Sequence, residues 1–524
     1  MKSLRGSAKA RRLVVLLVGA VLLGWIVLDV ATGRGPWTAT GKYAADLLGR
    51  AGPSRDLLKR LRRATGQTEK RPVKLRVWDW WSPSTTEDYA DYFEAIESRF
   101  EQRHPDVDVV FQAVPFGNYE QKLSAGMLGD RPPDVFQCSV YWAEGLYNRG
   151  MLRRLNDLIA ETPELQSSEF LPSTWYHNRR GDHVFGIPQS VDSSCLLWNL
   201  DLIKAEPDLH YMFERNADGT PDFTRIRFDA VRDWAHFRQI VKRLAKRSGP
   251  EGTGELVQVG MGMNAYGMGP SALMPWASAN GVTFQNKAGT RAMFDVPATV
   301  QTMRFLSELY WKDRVCPPFR RELTSYNLFQ QGKVGCTVDG TWSGKYLVRN
   351  TQGWMGFGMT AFPPGPAGKD YKTMTWANMM VMSSCSSKPR IAWDFIRLTC
   401  GLEGALLKLK YLNQNSARLD FYEGDAWTAE IRKRPYLSNI KRICASGDPL
   451  NHTQPQAVAD EVAPIFEYLL LNWPDVSAGR GRFGSLSDSM HLAAARVNEV
   501  YDRYSKIVRD WDRQLGRTIQ PEGN

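Results

Sequence analysis

The chain lacks the cysteine and histidine motifs that hold metals or carry redox chemistry. Its seven cysteines form no CxxC pair and its seven histidines form no HExxH sequence, so neither a zinc ribbon nor a zinc hydrolase is supported. An exported chain can form disulfides, and the later four cysteines could supply one. The odd number leaves at least one thiol free, which we expect to be a small buried apolar group. The cysteines are Cys138, Cys195, Cys316, Cys336, Cys385, Cys400 and Cys444.

The part of the chain after residue 71 has no excess of positive charge. The formal net charge is +11, but residues 1–71 contain 15 Lys/Arg and 4 Asp/Glu, which leaves 52 residues of each sign in residues 72–524. A domain that follows a phosphate backbone needs such an excess. We therefore predict no nucleic-acid partner.

Only the N-terminus has a long apolar run, the 16 residues from Leu13 to Leu28, behind a basic flank that includes Lys2 and Arg12. The run is longer than a usual signal core and shorter than a comfortable span of about 20 residues. Residues 1–31 are therefore predicted to be a cleaved signal or a membrane anchor, with both alternatives open. Either one exports the rest of the chain. Residues 32–72 are predicted to be a linker, with a short basic membrane-surface helix as the alternative.

Residues 328–348 contain an apolar strand from Val334 to Val338, followed by Asp339-Gly340 and then Trp342. In open α/β sheets the carboxyl end of a strand faces a ligand crevice, and an indole there is a flat surface for a sugar face. A tryptophan that caps the core is the alternative. A phosphate-loop motif is not matched, because only three residues separate Gly340 and Gly344, and Tyr346 follows the lysine.

Strands and helices are predicted to alternate from Val73 onward, as in a parallel α/β sheet. The periodicity predicts strands, helices and one strand interrupted by polar residues. The predicted strands are 73–80, 107–114 and 133–138, the interrupted strand starts near Phe185, and the predicted helices are 84–103, 119–128, 228–246, 299–311, 392–400, 403–411, 458–471 and 487–515.

Five segments in order resemble the family-one extracellular solute-binding proteins of ABC importers, the group that includes maltose-binding protein. The resemblance covers about residues 73–515. Each pattern is weak alone, whereas five at the right spacing are specific. The segments are LRVWDWW with FEQRHPDVDVVFQAV, YEQKLSAGMLGDRPPDVFQ, VFGIPQSVDSSCLLWNLDLI, LFQQGKVGCTVDGTW, and MTWANMMVMSSCSSKPRIAWDFIRLTCGLEGALL.

The resemblance implies an α/β, two-lobed periplasmic-binding-protein fold of type II, with a hinge that the chain crosses three times. The expected crossings are near Ser190-Val191, Lys372 to Met374, and Pro449 to Gln456. The expected N-terminal lobe comprises residues 73–190 and 375–448, and the expected C-terminal lobe comprises residues 191–374 and 449–524. The family binds a solute in the cleft, closes as a clamp, and is read by an ABC permease, without chemistry or a cofactor.

The candidate ligand residues lie where loops meet the cleft in this family. They combine carboxylates and amides, which hold hydroxyl groups, with aromatic faces, which bury the C–H side of a sugar. Core or main-chain roles are the alternative for each of them. The candidates are Asp79, Trp81, Tyr141, Trp142, Gln189, Asp192, Ser193, Trp276, Asp339, Trp342, Trp376 and Asn378.

The predicted function is an extracytoplasmic receptor for a carbohydrate, expected to be a neutral oligosaccharide because no arginine is clearly placed in the cleft. The receptor would reside in the periplasm or another extracytoplasmic space, with anchoring to the inner membrane by residues 13–30 as one of the two alternatives. A tethered sensor with a signalling partner would have the same lobes. A glycoside hydrolase would need two carboxylates at a defined separation, and no spacing here singles out a pair.

Overall fold

The computed structural model describes residues 73–81, 88–129, 131–249, 254–263, 270–318, 325–448 and 456–519. The predicted signal or anchor and the predicted linker, residues 1–72, lie outside these ranges and stay predictions. Within the described ranges, no helix is both long enough and apolar enough to cross a membrane.

Thirteen strands are present in the described ranges. They are β1 (Val73–Asp79), β2 (Val107–Ala113), β3 (Val135–Ser139), β4 (Arg179–Arg180), β5 (His183–Val184), β6 (Gly186–Asn199), β7 (Phe213–Arg215), β8 (Pro221–Ile226), β9 (Lys246–Arg247), β10 (Leu256–Gly262), β11 (Val334–Gly340), β12 (Phe357–Thr360) and β13 (Thr375–Met382).

The described α-helices surround these strands. They are α1 (Tyr89–Arg103), α2 (Tyr119–Met127), α3 (Val140–Asn148), α4 (Asn156–Ala160), α5 (Pro172–Trp175), α6 (Leu200–Lys204), α7 (Trp234–Leu244), α8 (Pro270–Ala279), α9 (Pro297–Trp311), α10 (Ser325–Gln330), α11 (Ser343–Asn350), α12 (Pro389–Cys400), α13 (Leu402–Leu412), α14 (Asp425–Lys433), α15 (Ile440–Ala445), α16 (Gln456–Leu471), α17 (Trp473–Ser477) and α18 (Leu486–Gln514).

Most predicted elements form within a few residues of their predicted bounds, because their hydrophobic periodicity agrees with their burial. Helix α7 is a correction, since it begins at Trp234 rather than at residue 228. The side chain of Asp233 accepts a hydrogen bond from the His236 N–H and caps the helix there. The later four cysteines, which could supply a disulfide, form none, because all seven cysteines are free and only Cys385 is exposed.

Strand β6 organises the largest sheet. The strand order is β2-β1-β3-β13-β6-β11-β10-β9, and β12 also pairs with β6. All fourteen residues of β6 are buried and the strand is continuous, so the predicted interruption by polar residues is wrong. The strand continues because neighbouring strands take up its backbone groups on either side of the polar stretch: β13 pairs with Gly186 to Ser193, and β11 pairs with Ser194 to Trp198.

This change of partner separates two groups of strands, which we call the two lobes. We call the part built on β1, β2, β3, β13 and the first half of β6 the first lobe. The second lobe is built on β9 to β12 and the second half of β6. One core cluster of the second lobe joins α7, α9, α16 and the start of α18.

Three segments of chain lie side by side where β6 changes partners. The Ser194 N–H donates to the Met374 carbonyl at 2.9 Å, and the Thr373 hydroxyl donates to the Ser194 carbonyl at 2.6 Å. The Thr373 N–H donates to Ser446 at 3.2 Å, and the Asp448 N–H donates to Thr373 at 3.0 Å. These contacts bring together residues next to the expected crossings, which stay predictions, and the third expected crossing lies partly in residues 449–455, outside the described ranges.

Candidate functional site

The candidate site forms along one edge of the first-lobe sheet. Strands β1 and β3 are parallel, and β13 runs antiparallel to both β3 and β6. The carboxyl ends of β1 and β3, the middle of β6 and the start of β13 therefore meet at the same edge. This topology brings Asp79, Ser139, Asp192, Trp376 and Asn378 to that edge.

Asp192 is the centre of a buried hydrogen-bonded cluster. Its carboxylate accepts from the Asn378 amide at 3.1 Å and from the Gln414 amide at 3.3 and 3.4 Å. The Asn378 amide also donates to the Ser190 hydroxyl at 3.4 Å. Burial raises the pKa of Asp192 to about 6, against the lowering effect of the two amides and of Lys345. The carboxylate is thus held in place, and most of it is ionised at neutral pH.

Two further predicted carboxylates, the buried Asp79 and the half-buried Asp339, are held by backbone N–H groups. The Asp79 carboxylate accepts from the Trp81 N–H at 3.0 Å, and burial raises the pKa of Asp79 to about 7. Asp339, near the end of β11 in the second lobe, accepts from the Gly340 N–H at 2.7 Å, and burial raises its pKa to about 6. Both groups can accept hydrogen bonds from a ligand or, when protonated, donate one.

Ser193 is a packing and hydrogen-bonding residue where β6 changes partners. Its hydroxyl lies 2.7 Å from the Thr375 hydroxyl, and its N–H donates to the Thr341 hydroxyl at 3.1 Å. Its side chain is fully buried. Ser193 therefore connects the two lobes from within.

Aromatic rings from both lobes approach the same edge. The ring of Trp342, which directly precedes α11 in the second lobe, lies 5.4 Å from the ring of Trp376 of β13, with the ring planes at 49°. Trp342 is 36% exposed, which leaves part of its ring open to a ligand. Trp81 is buried, and the Lys345 ammonium lies 4.6 Å from the centroid of its ring.

Tyr141 and Trp142 begin the helix that follows β3. Ser139 caps helix α3 by accepting a hydrogen bond from the Tyr141 N–H, and both aromatic side chains are half-buried. The Trp142 ring stacks on Tyr119 with centroids 5.8 Å apart and lies beside Trp80 and Phe116. Phe116 is 49% exposed, so this aromatic group ends at the surface.

Two buried glutamines at this site have unpartnered amides. In the described ranges, neither the amide nitrogen nor the amide oxygen of Gln137 and Gln189 has a hydrogen-bond partner, although the two side chains are only 0% and 3% exposed. Gln137 of β3 lies one residue beyond the Trp78–Phe136 pair and so beside Asp79. Gln189 lies at the bulge where the pairing of β6 with β13 shifts register. A buried amide without a partner is costly, so these groups call for a ligand or ordered water.

Trp276 lies apart from this group. Its side chain is 1% exposed and packs against Trp234, Phe237 and Phe362, with centroid distances of 6.1, 4.9 and 4.9 Å. The structure therefore places Trp276 in the core of the second lobe, where its ring has no free face. Its turn-like sequence context, Met-Pro-Trp-Ala, lies inside helix α8 instead.

Three residues of the site escaped the sequence analysis. Gln137 occupies the interior of a short apolar strand, and Gln414 follows α13 after a left-handed Asn413. Lys345 stands out in the sequence only as part of the unmatched phosphate-loop motif. The single available signal was the glutamine in the run Val-Phe-Gln-Cys, where a buried strand would be expected to be apolar throughout.

The chain belongs to the family of bacterial extracellular solute-binding proteins. The family profile matches residues 82–398, which is more than half of the 524-residue chain. A putative binding protein of Brucella abortus (strain 2308) is 21% identical over 354 residues, which are 64% of this chain and 76% of the relative. Membership of this family places the described part of the chain outside the cytoplasm and makes it a solute-binding protein.

Solved structures confirm the two-lobed α/β fold. The GacH receptor of Streptomyces glaucescens, solved unliganded and with acarbose, has a TM-score of 0.59 and 19% identity, over 84% of this chain and 100% of the receptor chain. The sugar-binding protein MalE of Xanthomonas citri has a TM-score of 0.65 and 15% identity, over 83% of this chain and 99% of its own. The α/β class is confirmed, whereas the expected parallel sheet is corrected to a mixed one, because β13 runs antiparallel to β3 and β6.

Proposed function

We propose that the protein is a receptor that binds a neutral carbohydrate between its two lobes and delivers it to the membrane permease of an ABC importer. We assign residues 73–190 and 375–448 to the first lobe and residues 191–374 and 449–524 to the second. Residues 13–30 would hold the receptor at the inner membrane or be removed as a signal. The receptor performs no chemistry on its ligand.

The unpartnered amides of Gln137 and Gln189 carry this proposal. Each glutamine offers both a donor and an acceptor in a buried setting, which matches a sugar hydroxyl, since a hydroxyl also donates and accepts. The carboxylates of Asp79 and Asp192 supply strong acceptors nearby. A solute with several hydroxyl groups would satisfy these groups together, whereas an apolar solute would leave them unpaired.

The aromatic rings would contact the apolar C–H face of a sugar, while the polar groups bind its hydroxyls. Trp342 and Trp376 approach from opposite lobes, so closure would bring a flat apolar surface against the C–H face of a bound sugar. The acarbose complex of the Streptomyces receptor and the description of the Xanthomonas protein as sugar-binding support the same class of solute. We propose the predicted set without Trp276 and without the fully buried Ser193, and with Gln137 and Gln414 added, as the ligand-contacting residues.

Calorimetric titration of the purified full chain with a panel of neutral mono- and oligosaccharides tests the proposal. We expect at least one sugar to bind, and Trp342→Ala to weaken that binding about tenfold, which corresponds to about 1.4 kcal/mol. Trp354→Ala is the matched control, because Trp354 is a 60% exposed tryptophan of the same lobe. Absence of heat from every neutral sugar would refute a carbohydrate ligand.

Two additional measurements separate the alternatives. Recovery of intact oligosaccharide after long incubation is expected of a receptor, and its cleavage would instead favour a glycoside hydrolase. Affinity purification from membranes should recover permease subunits. Recovery of a signalling protein in their place would favour the tethered sensor.

A further inference from the structure

The side chain of Lys345 links the two lobes across the candidate site. Lys345 lies in helix α11, which follows β11 in the second lobe. Its ammonium donates to the Leu412 carbonyl at 3.0 Å and lies 4.6 Å from the centre of the Trp81 ring. Leu412 and Trp81 both belong to the first lobe.

Each partner in the first lobe suits a cation. Leu412 is the last residue of helix α13, which ends in a left-handed Asn413, and the last carbonyls of a helix carry partial negative charge. The face of an indole is the best aromatic partner for an ammonium group. The Trp81 backbone is itself fixed by the Asp79 carboxylate, which accepts from its N–H at 3.0 Å. The ammonium therefore meets two pre-positioned groups.

The charged groups around Lys345 keep its ammonium in this position. Asp192 of β6 attracts it and Asp88 attracts it more weakly, whereas Arg349 on the same helix repels it. The Tyr346 ring lies 5.0 Å from the ammonium. Burial lowers the pKa of Lys345 to about 8, so the side chain is still protonated at pH 7.

We propose that Lys345 is a latch that holds the two lobes closed over the ligand site and thereby sets the affinity for the solute. Lys345 acts as a positioning residue, because its contacts are with the first lobe. This inference deepens the proposed function and rests on it for the identity of the solute. The closed fraction itself is a property of the protein without ligand.

The consequence for binding follows from the closed population. When a ligand binds only the closed form, its apparent affinity is the affinity of the closed form multiplied by the fraction of molecules that are closed. A charge-assisted hydrogen bond and a cation–π contact together favour closure, and their loss would open the protein. We expect removal of the ammonium to raise the ratio of open to closed molecules about tenfold and to weaken binding by up to the same factor.

Double electron–electron resonance, which measures the distance between two spin labels, tests the latch on the full chain in detergent micelles without any ligand. Cys385 is the only exposed cysteine and lies in the first lobe, and Ala217→Cys adds a second label in the exposed β7–β8 turn of the second lobe. Lys345→Met keeps the aliphatic stem and removes the charge. Lys345→Arg keeps a cation, and Lys369→Met removes a charge from an exposed lysine.

If Lys345 is a latch, the ratio of molecules with the longer label-to-label distance to those with the shorter one should rise about tenfold in Lys345→Met. Lys345→Arg and Lys369→Met should keep the ratio of the parent protein. Trp81→Phe weakens the aromatic partner and should shift the distances in the same direction, which gives a second test if Lys345→Met does not fold. Identical distances in the parent and in Lys345→Met would overturn the latch. Weaker sugar binding with unchanged distances would also overturn it and make Lys345 a direct ligand contact. If no sugar binds, the proposed function fails, and the distance measurement still decides whether Lys345 holds the lobes closed.

Discussion

Replacing Asp192 with asparagine should stabilise the ligand-free protein at neutral pH while weakening its binding of the solute. Burial raises the pKa of Asp192 from its ordinary value of 3.8 to about 6. A difference of about 2 pKa units corresponds to about 3 kcal/mol of cost for holding the ionised carboxylate in the folded protein. Asparagine has the same shape and no charge, so it removes this cost.

The expected gain is smaller than the full cost and depends on pH. Asparagine keeps one acceptor for the amides of Asn378 and Gln414 and loses the other, which offsets about 1 kcal/mol. The folded pKa is the higher one, so the folded protein binds more protons between about pH 4 and pH 6, and its stability falls as the pH rises through this range. Asp192→Asn should therefore raise the free energy of unfolding by about 2 kcal/mol at pH 7.5. At pH 4.5 this gain should be about 2 kcal/mol smaller, so the two proteins should be about equally stable.

Urea unfolding followed by tryptophan fluorescence at pH 7.5 and 4.5 measures this difference through the transition midpoints. Asp106→Asn, which neutralises an exposed aspartate, is the control and should leave both curves unchanged. Calorimetric titration with the identified sugar should show at least a tenfold loss of affinity in Asp192→Asn. The reasoning fails if Asp192→Asn unfolds at lower urea than the parent at pH 7.5, or if its advantage persists at pH 4.5.

Three more substitutions test the assignments of core, site and lobe contact. Gln189→Leu should raise the unfolding free energy by about 1–2 kcal/mol, because it removes two unpartnered polar atoms, and should weaken sugar binding in calorimetry. Trp276→Ala should cost about 3–5 kcal/mol in urea unfolding, as expected of a core indole, and leave the affinity of the folded protein unchanged. Arg180→Ala and Asp512→Ala, alone and together, should reveal a coupling energy of about 1–3 kcal/mol, because this half-buried pair, 2.5 Å apart, ties the end of α18 to the first lobe.

Each of these outcomes has a matched control. Gln352→Leu changes a surface glutamine outside the site, and a loss of stability in Gln189→Leu alone would mean that ordered water already satisfies that amide. Trp354→Ala removes an exposed indole, and weaker sugar binding by Trp276→Ala at unchanged stability would return Trp276 to the site. The exposed pair Arg480 and Asp475, 2.9 Å apart, should couple by less than about 1 kcal/mol, and equal coupling at Arg180–Asp512 would show that this contact is no more than a surface pair.

The sequence by itself determined the class of fold and the elements that build it. Residues 73–114 alternate between apolar strand and amphipathic helix strongly enough to predict β1, α1 and β2, because burial of one face imposes its period on the chain. The five family segments are local patterns, so they can be recognised in a single sequence. Asp192 and Asn378 could be singled out for the same reason, since polar residues inside apolar strands are visible without a structure.

The tertiary structure decided which of these residues meet. Trp276 and Trp342 both follow turn-forming residues in the sequence, yet one fills the second-lobe core and the other faces Trp376, because neighbouring elements determine the free face of a ring. Gln414 reaches Asp192 across 222 positions of sequence, and Lys345 reaches Leu412 across 67. Such contacts depend on how separate elements pack, and local periodicity carries no information about that packing.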